Sequence, residues 1–367
     1  ENLVNFDINL VIVPITLVFL LIWLVDKLVL KQHFAIKHHA KEVKFTETQL
    51  SMHKQKLELA LANYGMRSDA QSYTPDAHAP SDLYSAYQDY QASRVKLAAL
   101  VGNPPNHIAV VRWAYEFLPI LLAIVIVRAF VIEPFNIPSS SMVPTLYTGD
   151  FIIVNKAAYG LRLPIIHTKI LDTGNPKRGD VAVFRYPVND NIYFIKRVIG
   201  LPGDTVSFNR GVLSINGEKV ETTAVNYQMP SVLLDKMLPN MIHGQTLSDA
   251  DRAGFGRQEE YLARYQTENL GNHTYTVRYV INSNSSAEAP FLIEHSPEVV
   301  DSHGEQWSIV IPEGQFFVMG DNRDRSDDGR FWGFVPESNL SGKATYIWMH
   351  KESGFRLPSF GRNGTID

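Results

Sequence analysis

The sequence predicts a mostly β domain of antiparallel sheets, interrupted by an inserted subdomain and anchored by two N-terminal transmembrane α-helices. Two long apolar runs lie within the first 132 residues. From residue 150 onward, short runs of β-branched and aromatic residues alternate with Gly, Pro, Asn and Asp, which is typical of antiparallel β structure. A polar segment over residues 222–272 breaks this series and indicates an insertion.

The first apolar run, residues 8–25, has about the minimum length that crosses a bilayer core. A cleaved signal peptide would carry basic residues before the run and a small-residue cleavage site after it. Here acidic residues precede the run, and Asp26 and Lys27 follow it. The pattern therefore favours a retained transmembrane helix within residues 1–30 over a cleaved signal.

The second apolar run gives a predicted transmembrane helix over residues 111–132. Its centre, residues 117–127, is uncharged, and Glu116 and Arg128 lie near its ends, where long charged side chains reach the membrane interface. A buried helix of a soluble protein is the competing interpretation. If the segment spans, everything after it lies on the opposite side of the membrane from the preceding loop.

The basic residues predict the orientation of both spans. Residues 1–25 contain no Lys or Arg, whereas the loop begins with Lys27, Lys31, Lys37, Lys41 and Lys44. By the positive-inside rule, residues 31–110 form a cytoplasmic loop and the C-terminal part is exported. Within the loop, residues 46–61 show helical periodicity, and the Ser/Ala/Tyr-rich residues 73–90 are expected to be flexible.

Nine strands are predicted in the exported part, over residues 151–154, 181–184, 193–201, 205–208, 212–215, 275–281, 307–311, 315–319 and 343–349. Asn216-Gly217 is a strong hairpin signal. Short helices are expected around Leu233 and Glu259. We therefore divide the exported part into a β core over residues 133–209 and 308–367 and an inserted subdomain over residues 210–307.

Composition excludes several chemistries. The chain of 367 residues has no cysteine, so a cysteine nucleophile, a disulfide framework and a thiolate metal site are excluded. The His, Asp and Glu spacing predicts no metal, and we expect no cofactor. The net charge of −4 gives no indication of nucleic-acid binding.

The first candidate site is the stretch over residues 137–150, which holds three consecutive serines between Pro138 and Pro144. The prolines fix φ and push their preceding residues toward extended geometry, so the serines are expected in a stiff extended or turn segment. Such a segment suits a nucleophile that must be aimed. A Ser/Pro-rich linker is the competing interpretation.

The second candidate is Lys196, in a predicted strand that places Phe194 and Val198 on its own face. An ammonium between apolar side chains is desolvated, which disfavours the charged form and lowers the pKa. A neutral lysine amine can then take the proton of a serine hydroxyl as a general base. The alternative is a strand lysine whose head group reaches water.

The third candidate is the stretch over residues 320–333, with four Asp, three Arg and Ser326. As a surface turn it would be solvated; as part of a site it would form an ion-pair scaffold with Ser326 as an orienting hydroxyl. No histidine stands in a motif that would make it the partner of a serine, so a Ser-His-Asp triad stays open but unsupported.

In this order, the three stretches resemble the type I signal peptidases of bacteria. The resemblance covers residues 133–160, 180–204 and 314–336, through the patterns Ser-Met-x-Pro-Thr-Leu, Lys-Arg-Val-Ile-Gly-Leu-Pro-Gly-Asp and Gly-Asp-Asn-Arg-Asp-x-Ser-x-Asp. It implies a β fold like that of signal peptidases and SOS repressors. It also implies a multi-pass serine endopeptidase of the bacterial cytoplasmic (inner) membrane, with its catalytic domain on the periplasmic side.

The resemblance implies partners and residue roles as well. The partners would be the signal peptides of exported preproteins, cut after small-x-small motifs, and the lipid bilayer. Ser141 would be the nucleophile, Lys196 the general base, Ser139 an oxyanion-hole donor and Ser326 the residue that orients the lysine. The site would be supported by the ion pairs Arg197 with Asp321 and Asp328 with Arg330. Substrate side chains would meet the apolar residues Phe135, Ile137, Met142 and Ile195.

Three departures from the family pattern leave this dyad untouched: a long cytoplasmic loop, the absence of cysteine, and Gly329 where a Ser is common. Two other functions stay open. One is a non-catalytic membrane-anchored β module that binds exported or envelope proteins. The other is a self-processing Ser-Lys protease like the SOS repressors, for which two apolar spans stand where a DNA-binding unit is expected. The oligomeric state cannot be read from the sequence.

Overall fold

The structure, a computed structural model, describes residues 9–66, 69–76, 78–106, 108–163, 166–237, 241–242, 245–246, 248–281, 283, 285–296, 306–352, 355 and 357–367. The chain forms two compact units. One is Val11–Ile124, which is helical, and the other contains Val125–Asp367, which is mostly β.

Among the described residues, two helices are long and apolar enough to cross a membrane. Helix α1 (Asn9–Val25) continues as a π-helical turn, and α4 (Ala109–Ile126) does the same, which gives apolar segments of 20 and 23 residues with mean hydropathy 2.3 and 2.1. Both apolar helices predicted from the sequence are therefore present. Residues 1–8 of the first predicted segment lie outside the described residues.

Two further helices, α2 (Gln32–Asn63) and α3 (Ser81–Gly102), pair with each other in the helical unit. Their contact buries the apolar cluster Leu57, Leu61, Ala70, Leu83, Ala86 and Tyr90. Helix α3 corrects our expectation of a flexible stretch over residues 73–90, since residues 81–90 are helical. The Ser/Ala/Tyr composition masked three apolar residues spaced three and four apart, which form one helix face.

The β unit is organised around an antiparallel eight-stranded sheet in the order β1-β2-β18-β5-β6-β16-β17, with β19 on β18. A four-stranded sheet has the order β15-β7-β8-β9, and a three-stranded sheet the order β10-β13-β14. The chain also forms the two-stranded ribbons β3-β4 and β11-β12. The strands are β1 (Ile132–Asn136), β2 (Asp150–Asn155), β3 (Leu161–Arg162), β4 (Lys169–Leu171), β5 (Val181–Tyr186), β6 (Asn189–Gly200), β7 (Thr205–Asn209), β8 (Val212–Ile215), β9 (Glu218–Lys219), β10 (Glu221–Val225), β11 (Met241–Ile242), β12 (Gln245–Thr246), β13 (Ala263–Leu270), β14 (His273–Val280), β15 (Gln306–Val310), β16 (Gln315–Met319), β17 (Val335–Pro336), β18 (Leu340–His350) and β19 (Gly364–Thr365).

All nine predicted strands are present, and so is the predicted β8–β9 hairpin. Asn216 and Gly217 both have positive φ, 55° and 83°, as the tight turn between two twisted strands requires. The two helices expected in the insertion appear as the 3₁₀ helix Ser231–Lys236 and as α5 (Asp249–Tyr261). The β unit also has the short helices α6 (Pro290–His295) and α7 (Gly329–Trp332).

The predicted start of the insertion at residue 210 falls inside the β7–β8 hairpin. Strands β7, β8 and β9 share one sheet with β15, so this sheet contains residues from both sides of the proposed boundary. The distinct part of the insertion begins with β10, which pairs with β13 in a separate sheet. This start agrees with the polar segment over residues 222–272 that indicated an insertion in the sequence.

Candidate active site

The three serines lie in the loop that joins β1 to β2, and the loop consists of bends and turns, as predicted. Its two ends are tied together, because the amide of Ile137 donates to the carbonyl of Asp150 and the amide of Gly149 donates to that of Ile137, both at 2.8 Å. Gly149 has a φ of 97°, and a Cβ there would lie 2.6 Å from the carbonyl oxygen of Lys351. The loop is therefore closed at a position that requires glycine.

The side chains of Lys196 and Ser141 lie next to each other inside the β unit. Lys196 lies on β6, which pairs with β5 on one side and β16 on the other. Its Nζ lies 2.6 Å from the Oγ of Ser141, and the two residues are only 2% and 1% exposed. An amine within hydrogen-bond distance of a buried hydroxyl has the geometry that a general base needs toward a nucleophile.

Two neighbours of this pair also match the sequence-based expectations in their placement. The Oγ of Ser139 lies 3.3 Å from the Oγ of Ser141. The Nζ of Lys196 lies 5.4 Å from the ring centroid of Phe194, on the shared strand face. The amine thus has an apolar and aromatic wall on one side and the serine hydroxyl on the other.

Two buried ion pairs support the loop that follows β16, and both are the pairs expected from the sequence. The guanidinium of Arg197 holds Asp321 with contacts of 2.8 and 2.7 Å, and both side chains are fully buried. The guanidinium of Arg330 holds Asp328 at 2.8 and 2.9 Å. Because each charge is buried with its partner, the loss of either partner would leave an uncompensated charge in the interior, which is strongly destabilising.

Asp328 also fixes the end of strand β16. One carboxylate oxygen accepts the amide hydrogen of Gly320 at 2.9 Å. Burial alone would raise the pKa of Asp328, but the charge of Arg330 and the hydrogen bonds hold it below its ordinary value. The carboxylate therefore stays ionised in the interior.

Ser326 is buried close to the dyad, and its Oγ makes no hydrogen bond to any residue that the structure describes. A Cβ at Gly320 would overlap both this hydroxyl and the carbonyl oxygen of Ser141. The absence of a side chain at Gly320 therefore allows residues 320–333 to approach the serine loop. The orienting role of Ser326 toward Lys196 stays a prediction.

The four residues predicted to contact substrate belong to a single buried cluster, with exposures of at most 4%. They are Phe135, Ile137, Met142 and Ile195. Ile137 and Met142 belong to the serine loop and Ile195 to β6, so the cluster joins these two elements in the interior. Their contact with substrate stays a prediction.

Sequence reasoning missed two residues that hold the serine loop. Asn322 donates its backbone amide to the carbonyl of Ser141 at 3.1 Å and its side-chain amide to that of Ser140 at 3.0 Å. Arg278, from the insertion, contacts the side chain of Asn322 at 3.2 Å. Asn322 stood within the third stretch, but nothing local in the sequence around Arg278 indicated a link to the site.

Two histidines of the β unit lie beside carboxylates. His273 lies 3.2 Å from Asp180, and His350 lies 2.8 Å from Asp150. The group beside the hydroxyl of Ser141 is an amine. Within the described ranges, no group of three or more His, Asp or Glu side chains is arranged to hold a metal ion.

Comparison with known proteins identifies the family to which the chain belongs. The family described as signal peptidase, peptidase S26, matches residues 110–349. Signal peptidase I of Pseudomonas aeruginosa is 39% identical over 269 residues, which cover 70% of this chain and 79% of that protein. Signal peptidase I of Pseudomonas fluorescens is 36% identical, with 77% and 88% covered. The chain therefore belongs to the S26 family of signal peptidases.

Proposed function

We propose that the protein is a membrane-bound serine endopeptidase that removes N-terminal signal peptides from exported preproteins with a Ser141–Lys196 dyad. The observation that carries the proposal is the 2.6 Å contact between the lysine amine and the serine hydroxyl, in a setting from which bulk water is excluded. Membership of the signal peptidase family supports the substrate class.

In the proposed reaction, neutral Lys196 accepts the hydroxyl proton of Ser141 as Oγ attacks the scissile carbonyl carbon. The oxyanion that forms is stabilised by the backbone N–H of Ser141 and the hydroxyl of Ser139. Loss of one such donor typically costs about 10²–10³ in rate. The lysine ammonium then protonates the leaving amine, and water attacks the acyl-enzyme and restores the serine.

A buried apolar cluster next to the proposed dyad in the sequence supports a preference for small side chains. Met142 directly follows Ser141 and Ile195 directly precedes Lys196, and both belong to this cluster with exposures of at most 4%. We therefore propose cleavage after small-x-small motifs such as Ala-x-Ala. The same packing keeps water from the amine, so one cluster serves both specificity and the protonation state of the base.

The two apolar helices support a location in the bacterial cytoplasmic membrane, with the β unit on the outer side. Strand β1 begins at Ile132, directly after the second apolar segment, which ends at Val131. The nucleophile follows nine residues later in the sequence. A site so close to the end of a span suits a substrate whose apolar segment itself lies in the bilayer.

The direct test incubates the detergent-solubilised protein with a radiolabelled exported preprotein and follows the appearance of a mature-size band. We expect the wild type to produce this band and Ser141→Ala to produce none, with unchanged thermal unfolding. A wild type that binds preprotein without cutting it would instead favour the non-catalytic β module.

A further inference from the structure

The buried side-chain amide of Asn322 binds the peptide that joins Ser140 to Ser141. The side-chain Nδ2 of Asn322 donates to the carbonyl oxygen of Ser140 at 3.0 Å, and Asn322 is fully buried. Because a trans peptide is planar, the N–H of Ser141 points away from the carbonyl that Asn322 holds. Whatever orients this carbonyl therefore also orients the N–H of Ser141.

Arg278 determines which way the amide of Asn322 faces. Its Nη1 lies 3.2 Å from the Oδ1 of Asn322, so the amide oxygen faces the guanidinium and the amide nitrogen faces Ser140. The opposite orientation would place two donors together and two acceptors together. The backbone amide of Arg278 also donates to the carbonyl of Asp321 at 2.9 Å, which ties β14 to the same loop.

Arg278 is in turn fixed by two carboxylates at the end of α5. Glu259 accepts from its Nη1 at 2.9 Å, and Glu260 accepts from Nε and Nη2 at 3.3 Å. Burial alone would lower the pKa of Arg278, but these two charges raise it above its ordinary value, so the guanidinium remains charged. All these residues belong to the insertion, for which the sequence assigned no role.

We propose that Arg278 is a positioning residue for catalysis, acting through Asn322 to aim and polarise the N–H of Ser141 that stabilises the oxyanion. The carbonyl of Ser140 accepts a hydrogen bond from an amide that is itself bound to a cation. Hydrogen bonds in such a chain polarise one another, which makes the N–H a stronger donor. The inference rests on the proposed function, because it assumes Ser141 as the nucleophile. Arg278 would give the insertion a role in catalysis that is separate from any role in substrate binding.

The first test compares Arg278→Met with Arg325→Met in preprotein cleavage. In Arg278→Met each carboxylate keeps a partner, since Glu259 still binds Arg325 and Glu260 still accepts from Tyr265. We expect kcat to fall about 10- to 100-fold with little change in KM, because only the oxyanion donor is disturbed. Arg325→Met disturbs the same Glu259 without touching the side chain of Asn322, and should keep the wild-type kcat.

A second variant guards against loss of folding in the first. Asn322→Asp keeps the size and the contact with Arg278 but removes the donor to Ser140, and it should lower kcat by a similar factor. In Arg278→Met the acid limb of the pH–kcat profile should not move, because the contact between Lys196 and Ser141 is unaltered. Asn322→Asp adds a carboxylate near the amine, so its kcat is compared with that of the wild type at each protein's own pH optimum. The double variant Arg278→Met with Asn322→Asp should lose no more kcat than the more impaired of the two single variants, since both substitutions act through one peptide.

The outcomes separate this inference from the proposed function. If the wild type cleaves and Ser141→Ala does not, yet Arg278→Met and Asn322→Asp retain the wild-type kcat, the positioning role is wrong and the dyad stands. If Arg325→Met loses as much kcat as Arg278→Met, the effect is a general loss of the ion-pair network. If the wild type fails to cleave at all, the proposed function itself is wrong.

Discussion

At the scale of single residues, the site depends on buried charged side chains, each of which contacts a side chain of opposite charge. Arg197 and Asp321 are both fully buried, and Asp321 also accepts from Thr145. Such a pair adds little net stability compared with apolar residues of the same size, but the loss of one partner strands the other charge in the interior. This asymmetry makes the pair a sensitive point of the fold.

Replacing Arg197 by Met should destabilise the protein by about 3–5 kcal/mol, because the buried carboxyl group of Asp321 loses its guanidinium partner. Urea unfolding in detergent, followed by tryptophan fluorescence, measures the change. The control is Lys56→Met, which removes the ion pair of Lys56 with Asp89, whose side chains are 59% and 43% exposed. An exposed pair contributes about 1 kcal/mol or less. Equal losses in the two variants would contradict this account.

The buried carboxylates also predict how stability depends on pH. Burial alone would raise the pKa of Asp180, but Lys343, the amide of Lys177 and Tyr159 hold it below its ordinary value, as Arg330 does for Asp328. A lowered folded-state pKa means that the unfolded chain binds protons first on acidification. The stabilisation is therefore complete above about pH 4, the unfolded pKa, and is lost as pH falls through the folded pKa.

We accordingly expect the thermal midpoint to fall steeply as pH is lowered from about 5 toward 2. Asp180→Asn should have a lower midpoint than the wild type at pH 7 and a shallower fall in acid, because one of the titrating carboxylates is gone. Differential scanning calorimetry across this range measures both. A midpoint that stays level or rises in acid would show that these carboxylates do not carry the stability assigned to them.

At the scale of elements, the site is built where the β1–β2 loop meets the ends of β6 and β16. Gly320 ends β16 and lets the loop after it pack against the serine loop, since any Cβ would overlap Ser326 and the carbonyl of Ser141. The close approach brings Asn322 to the peptide between Ser140 and Ser141. The absence of a side chain at Gly320 thus sets the spacing of the two segments.

Gly320→Ala should therefore lower kcat by at least about tenfold and destabilise the fold by roughly 1–3 kcal/mol, as overpacked interiors typically do. Cleavage kinetics and thermal unfolding measure the two effects. Gly102→Ala, where a Cβ meets open space, is the control and should leave both unchanged. Normal cleavage by Gly320→Ala would mean that the two segments can move apart without loss.

The elements also show what local sequence can and cannot predict. Short β-rich runs and the Asn216-Gly217 turn predicted strands and a hairpin correctly, because both depend on neighbouring residues. Helix α3 was missed because its apolar face is sparse and its composition polar. Arg278 was missed because its link to Asn322 joins residues 44 positions apart, which only the folded sheet brings together.

At the scale of the whole molecule, the chain combines a helical unit that contains two apolar helices with a β unit that contains the proposed dyad. The placement of Ser141 and Lys196 beside each other followed from the family resemblance rather than from local pattern, since they are 55 positions apart. The positive-inside rule predicts that the β unit lies on the outer side of the membrane and that the loop over residues 31–110 lies in the cytoplasm.

The absence of native cysteine makes this orientation directly measurable. Val188 in the β unit and Leu59 in α2 are exposed, so single cysteines there should react freely with solvent reagents. A membrane-impermeant maleimide should label Val188→Cys in intact spheroplasts and Leu59→Cys only after lysis. The reverse pattern would place the β unit in the cytoplasm and exclude a role in processing exported preproteins.

The central claim is that the amine of Lys196 activates Ser141, and the cleavage rate of Lys196→Ala tests it most directly. The purified variant is compared with the wild type on one preprotein, after its thermal midpoint has shown that it is folded. We expect kcat to fall by about 10²–10⁴, the range that a general base supplies. Cleavage by folded Lys196→Ala at close to the wild-type rate would contradict the dyad.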